Sequence, residues 1–373
     1  MNENILVRSP YYFSRQNTDV SALSAIIYIN IPIQGTNTVI YTLTQNKNSD
    51  GYINFEISEL LRDYLDINYY SLIDDSIPIT IILYWKNGLN GTGGNVLFEA
   101  DTKFMIDGYG YFEDGYNPTT TRGYMQSNNI IYKLADSDLR IPVDRNNTSE
   151  VAFLYKGNIT KSEIITSSTT NIFKYVQNTI GGADSFKDRV ITDNGTYEEN
   201  VCIDEFLEEY ELFEVDEVRI STTDGLKIIK VITIEECLYT PIKLTFVNKW
   251  GAKQELWFFK KSIETLNVKR ESFKRNTSNV NTGSYLTTTH QKQSYNVQST
   301  KSITLNTGYV SEEYNEPMQE LLQSEQVWME IDTVVTPVNV EENSLVFKTS
   351  VNNKLVDYTL KLSYAFDTIN NIR

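Results

Sequence analysis

Between Tyr239 and Lys261 the chain reads Tyr-Thr-Pro-Ile-Lys-Leu-Thr-Phe-Val-Asn-Lys-Trp-Gly-Ala-Lys-Gln-Glu-Leu-Trp-Phe-Phe-Lys-Lys. Ile242, Leu244 and Phe246 alternate with Lys243, Thr245 and Val247, the period of two that suits a strand with a buried face. A second apolar run, Leu256 to Phe259, follows the break at Asn248-Lys-Trp-Gly251. Two β-prone runs around a turn containing Asn and Gly predict a hairpin. Its aromatic load is too large for an edge ribbon in water, which predicts a place at the centre of a β-sandwich core.

Composition agrees with a β-rich protein. The 373 residues suit two or three domains, and 40% hydrophobic residues are enough to fill real cores. With 25 Tyr and 16 Phe beside 18 Gly, wide aromatic contact surfaces are expected, in cores and subunit interfaces ahead of sugar sites. A formal net charge of −16 repels nucleic-acid phosphates and argues against sequence-reading DNA binding. The same repulsion suits a wall past which DNA slides. The first ten residues show no basic segment leading into an apolar one, so no signal peptide is expected, and no apolar run approaches the ~20 residues of a membrane helix. Cys202 and Cys237, the two cysteines, read as a pair that could bridge or, ahead of that in a reducing cytoplasm, as two buried thiols.

The expected fold is mainly β with an α+β C-terminal unit, divided at 1–117, 118–275 and 276–373. Short runs in the first segment, among them Ala25–Ile31, Thr38–Leu43 and Tyr52–Ile57, are punctuated by Gly, Asn, Asp or Pro, as in a sandwich or small barrel. Ser58 is expected to cap a helix reaching Leu65. Ile79–Trp85 and Val96–Phe98 form a hairpin whose Gly-rich tip lacks the Gly-Lys-Ser/Thr of a phosphate loop. Asp107–Arg122, rich in Gly, Tyr and Asn, is read either as an arm that meets a partner or as a connector packed on its own domain.

In the second segment Thr223-Asp-Gly225 marks a hairpin and Asp193-Asn-Gly195 a turn. The acidic run Asp204–Glu217 reads as a solvated face, since it lacks calcium-loop spacing. Lys249, Lys253, Lys260, Lys261, Lys269, Arg270, Lys274 and Arg275 then make a basic strip, read as a dock for a neighbouring copy or as a solvated face. In the last segment Asn276–Lys301 is polar, a long loop, an extended hairpin or a segment ordered on assembly. Asn315–Ser324 predicts a helix capped by Asn315, laid across strands that include Val327–Ile331, Leu345–Lys348 and Tyr358–Tyr364, with a turn at Val351–Lys354.

Catalytic sets are scarce. The single histidine, His290, lies in a Thr/Gln/Ser stretch, which leaves no Ser-His-Asp or Cys-His pair and no zinc spacing. Paired carboxylates for glycoside hydrolysis stay open, because their separation is invisible in sequence. The expectation is a non-enzymatic protein without cofactor or metal.

Two stretches carry a family resemblance. Cys237-Leu-Tyr-Thr-Pro-Ile-Lys-Leu-Thr-Phe-Val-Asn-Lys-Trp-Gly251 with Leu-Trp-Phe-Phe-Lys-Lys-Ser, and Leu305 to Trp328 with Thr336-Pro-Val-Asn-Val and the ending Tyr364–Arg373, resemble tail-associated virion proteins of Bacteroidetes-infecting, crAss-like phages. The resemblance covers roughly the last third of the chain. It implies a structural ring or hub protein of the tail or neck, made in the host cytoplasm and assembled into the virion. The implied partners are copies of itself in a ring, other tail, portal or hub proteins, and genomic DNA only as a passing polymer, with no membrane anchor. Candidate subunit contacts are Lys269, Arg270, Lys274, Arg275, Tyr109, Tyr111, Tyr116 and Trp328. The alternative is a receptor- or carbohydrate-binding tail module, with exposed Tyr and Trp stacking on sugars.

Overall fold

The structure is a computed structural model and describes residues 4–32, 38–70, 75–87, 95–118, 122–135, 137–178, 214–279, 281–342, 346 and 355–368. The fold is mostly β. The chain groups into two compact units, one of Met1–Glu235, Phe246–Leu256 and Glu313–Ser324, the other of Glu236–Thr245, Trp257–Glu312 and Glu325–Arg373. Among the described residues no helix is long and apolar enough to cross a membrane.

The first unit opens with β1 (Asn4–Leu6), β2 (Tyr12–Gln16), β3 (Ala22–Pro32), β4 (Thr38–Asn46), β5 (Tyr52–Glu56), α1 (Ser58–Arg62), β6 (Ser76–Asn87) and β7 (Asn95–Ile106). One sheet has the order β1-β7-β6-β3-β4, with β1 parallel to β7, and β2 pairs with β5 beside it. The period of two explains the packing. Ala25, Ile27 and Ile29 of β3 face Trp85, Leu83 and Ile81 of β6, and every one of these side chains is buried. Burying each large aliphatic side chain of such a face contributes about 1.5–3 kcal/mol. Ser58 turns out to be the first residue of α1 and not its cap. Its amide and hydroxyl turn back to the Glu56 carboxylate, and the helix stops at Arg62, short of Leu65.

A second set follows: β8 (Ile130–Leu134), β9 (Leu139–Asp144), β10 (Thr148–Tyr155), β11 (Asn158–Ile164), β12 (Phe173–Asn178), β13 (Glu217–Thr222) and β14 (Gly225–Ile234). Its main sheet has the order β11-β10-β13-β14-β8, and β9 pairs with β12. Val151 stands opposite Ile220, and Val218 lies between Phe153 and Ile229, giving this set a core of its own. The Thr-Asp-Gly turn joins β13 to β14 as predicted, with Gly225 at φ +124°. A third apolar cluster gathers Leu6, Phe104 and Ile106 with Met125, Ile172, Phe173, Tyr175, Trp250 and Ala252. The Asn248–Gly251 turn is therefore core material of the first unit.

The remaining elements are β15 (Ile242–Val247), β16 (Lys253–Phe258), β17 (Ile263–Lys274), β18 (Lys292–Asn306), β19 (Val310–Ser311), α2 (Asn315–Gln323), β20 (Val327–Ile331), β21 (Val334–Val340), β22 (Leu355–Val356) and β23 (Thr359–Tyr364). A seven-stranded sheet runs β16-β15-β20-β21-β23-β18-β17, and β19 pairs with β22. The predicted β15–β16 hairpin thus forms one edge of this sheet and not its centre. Its aromatic side chains are buried nevertheless, Trp250 and Phe258 among them.

The division of the chain differs from breaks at 117 and 275. The helix α2 groups with the first unit and not with the strands that follow it, because Met318 and Leu321 are buried and Gln323 bonds to Arg8, Tyr109 and Tyr111. Asn315 is its first residue, not its cap; a 3-10 turn at Glu312–Tyr314 runs straight into it. Cys237 is free and exposed, against the buried thiol expected. Cys202, the turn at 193–195, the acidic residues 204–213, the tip at 88–94, the strand predicted over 345–348 apart from exposed Val346, and the turn at 351–354 lie outside the described residues.

Candidate interaction surface

Among the described residues, the β17–β18 ribbon is where the sequence leaves the most side chains without a core. It pairs in register from Ile263 opposite Thr304 to Lys274 opposite Lys292. Only residues 302–306 of β18 pair on the other side, with β23. The Ser299 carbonyl still accepts the Thr368 amide at 3.1 Å, and beyond it, among the described residues, the ribbon continues as two strands. From Val268 to Gln298 every described residue is exposed except half-buried Thr277 and Thr289. An isolated two-stranded ribbon is marginal in water.

Local sequence explains the ribbon's shape. A bulge interrupts the register after Arg270, where Asn296 takes φ +37°, a left-handed conformation that Asn tolerates better than most residues. At this bulge the Tyr295 ring lies 5.8 Å from Phe273, and a hydrogen bond with Glu271 raises the Tyr295 phenol above its ordinary pKa. At the root of the ribbon Tyr364 donates to Glu264 at 2.9 Å, and burial followed by that bond pushes its phenol up to about 12.

β17 is also the sheet's outer strand, so one row of its backbone groups faces away from β18. Charged edge residues usually guard such a strand. Lys269, Arg270 and Lys274 fit that description. Leu266, Val268 and Phe273 on the same strand, and Tyr295 and Val297 opposite, do not, since all are exposed. Between Ile263 and Asn306 stand Lys269, Arg270, Lys274, Arg275, Lys292 and Lys301 against Glu264 and Glu271, a net +4 in a chain of net −16. The ribbon therefore offers cations interleaved with apolar side chains, which suits an acidic protein surface with an apolar component.

Of the basic strip read from sequence, only Lys269, Arg270, Lys274 and Arg275 come together here, all exposed. Lys253 is buried and paired with Asp75 at 3.0 Å. Lys249 bonds to Asp114 at 3.3 Å and Lys260 to Glu236 at 2.5 Å. The strip is not one face.

The tyrosine segment packs on its own unit. Tyr109 is buried and donates to Gln323 Oε1 at 2.8 Å, and half-buried Tyr111 donates to the same atom at 3.2 Å. Tyr116 is exposed, yet its ring stacks on Tyr12 at 5.8 Å, and Asn117 bonds to both backbone groups of Tyr12. The connector reading describes this segment, and it leaves Tyr109 unavailable for a partner. Trp328 is half-buried on β20, opposite Pro337. Trp85, Trp250 and Trp257 are buried and present no indole face to a sugar.

No family model matches the chain, and no curated protein matches it. Among the described residues no group of three or more His, Cys, Asp or Glu side chains stands close enough to hold a metal ion. The sequence reading missed Phe273, Tyr295 and Val297 as surface groups. Their signal was the spacing of single apolar residues within a polar stretch.

Proposed function

We propose that this chain is a non-enzymatic structural subunit of a phage tail or neck, which oligomerises into a ring around the DNA conduit and docks other tail proteins. In this reading the two separate β cores of the first unit are tandem sandwich-like domains, and the β17–β18 ribbon reaches a neighbouring copy. The observation that carries it is the ribbon's exposure from Val268 to Gln298. A segment with so little of its own to bury gains stability by covering its apolar residues against something else. Charge selects a second copy as that partner. Outside the ribbon this chain is strongly acidic, and a contact between unlike patches of identical subunits is heterologous, the kind that closes rings. The resemblance of the last third supports the setting, and the net charge suits a DNA conduit.

The test is size-exclusion chromatography with negative-stain imaging at low salt. Wild-type protein forms closed rings, and a variant with Lys269, Arg270, Lys274 and Arg275 each changed to Glu elutes as a smaller species. Assembly unchanged by the four reversals would remove the ribbon from this role.

A second reading, a carbohydrate-binding module, draws on a cavity of about 500 Å3 in the first unit, lined by Thr102, Asn146, Asn147, Ser168, Thr169 and Thr223 among others. Buried Asp144 lines it as well, so hydroxyls and amides with one acid would meet the hydroxyls of a sugar. A monomer that retains host glycans would favour it.

A further inference from the structure

Helix α2 seats a carboxyl where a carboxylate is costly. Glu320 has 0% of its surface exposed and lies on the same helix as buried Pro317, Met318 and Leu321. Among the described residues neither of its oxygens completes a hydrogen bond, although the Ser127 hydroxyl and the Lys249 amide lie nearby. A buried carboxylate without full hydrogen bonding is expensive, so such a group keeps its proton.

The surroundings are otherwise built to hold the helix. Gln323 accepts from the Tyr109 and Tyr111 hydroxyls through its side chain and from Arg8 through its carbonyl, at 2.7 Å for the last. Just before the helix, Glu313 accepts from the Asn129 amide at 3.1 Å, and the Tyr314 ring meets Tyr132 edge-on at 5.3 Å. The groups that act on Glu320 are Glu316 from its own helix, Lys249 from the turn before β16, Tyr109 and Tyr111 from the segment after β7, and Tyr124 with Ser127 from the segment before β8. Lys249 is the one cation among them, and it is already engaged by Asp114.

We propose that α2 is a proton-dependent latch, seated on the first unit while Glu320 is protonated and loosened when that proton leaves. Release uncovers the Tyr109 and Tyr111 hydroxyls and the Arg8 guanidinium for other contacts. Burial, and after it the charge of Glu316, pushes the Glu320 carboxyl up to about 8, with Lys249 opposing. In a released helix the group returns to its ordinary value of 4.5. The seated form therefore binds the extra proton, so rising pH weakens the seat, about tenfold per unit between roughly 4.5 and 8 and not further above that. Across the window the seating equilibrium changes roughly three thousandfold.

This inference is independent of ring formation and is tested on the full chain by hydrogen exchange at the amides of residues 318–323. Dividing observed rates by intrinsic ones gives an opening constant at each pH, in the regime where reclosing outruns exchange. The wild-type constant rises about tenfold per unit from pH 5 to 8 and then levels. Glu320→Gln and Glu320→Leu give flat profiles, the second guarding against any looseness caused by an unbonded amide. Glu316→Gln keeps the slope. A flat wild-type profile, a slope that survives in both Glu320 variants, or one that vanishes in Glu316→Gln would overturn the proposal.

Discussion

The Lys253 ammonium lies 3.0 Å from the Asp75 carboxylate, and both side chains are shut off from water. The other Asp75 oxygen accepts from the Tyr175 hydroxyl at 2.8 Å, that hydroxyl accepts the Lys253 amide at 3.0 Å, and Lys253 Nζ also donates to the Asn68 carbonyl at 2.6 Å. Removing one member leaves the other charge buried and uncompensated, which costs about 3–5 kcal/mol. Lys253→Met and Asp75→Leu are each expected to lose that much in guanidinium unfolding. The double variant, with no stranded charge, loses less than either single one. A loss below about 1 kcal/mol for both single variants would show that the pair does not fasten the β15–β16 turn region to the first unit.

Two glycines let the same turn approach the end of β7. A Cβ on Gly108 would stand 2.7 Å from the Lys249 carbonyl oxygen and 2.8 Å from Leu6 Cδ2, and Gly251 has φ +76° with the Asp107 backbone 3.1 Å from its would-be Cβ. Gly108→Ala should cost about 1–3 kcal/mol through overpacking, disturbing the bond from the Tyr109 amide to the Lys249 carbonyl. Gly251→Ala adds left-handed strain of about 1–2 kcal/mol to its own crowding. Gly157 has φ +81° with nothing within 4 Å, so Gly157→Ala should carry the strain alone. Thermal unfolding of the three variants checks the order; equal losses would mean that the close approach is easily relaxed.

What could be read from the sequence tracks how local each cause is. The alternation in β3, β6 and β15 and the Thr-Asp-Gly turn before β14 are written in neighbouring residues, and the strands follow. Lys253 reads as solvated because its partner Asp75 is far away in sequence, and a lysine's burial has no local signature. Gly108 and Tyr109 read as loop surface for the same reason: the close contact that needs the glycine is made by Lys249 and Trp250. The apolar side of α2, with Met318 and Leu321, announces that the helix packs but not on which unit. The ribbon resisted assignment because neither face of its outer half is buried, so no hydrophobic period of two was there to detect.

Arg15 on β2 grips Glu99 on β7 through two bonds of 2.6 Å, joining the small sheet to the large one in the first unit. The hydrogen bonds from Arg15 hold the Glu99 carboxyl below its ordinary value. A depressed folded value means the stabilisation is present above the unfolded pKa of roughly 4.3 and lost as pH falls through the folded one. Both side chains are about 30% exposed, so screening keeps the effect below about 1 kcal/mol. Glu99→Gln should be slightly less stable than wild type in urea at pH 7, and the gap should shrink as pH falls through the lowered carboxyl value. A gap that is constant from pH 7 to pH 3 would show that the carboxylate's charge is not the source.

The ribbon can be separated from the fold by shortening it. Arg270 and Val297 stand opposite each other in register, so replacing residues 271–296 with Asn-Gly closes a two-residue hairpin there. The described residues among those excised are exposed except for half-buried Thr277 and Thr289, while the pairing of β18 with β23 over 302–306 is untouched. Little apolar surface leaves a core, and the melting temperature should move by no more than about 4–8 °C, the shift of roughly 1 kcal/mol in a small domain. Self-association, by contrast, should disappear at every salt concentration, whereas the four charge reversals act chiefly at low salt. A shortened protein that folds and still forms rings would place the subunit contact elsewhere, and one that fails to fold would show that the ribbon belongs to the second unit's own stability.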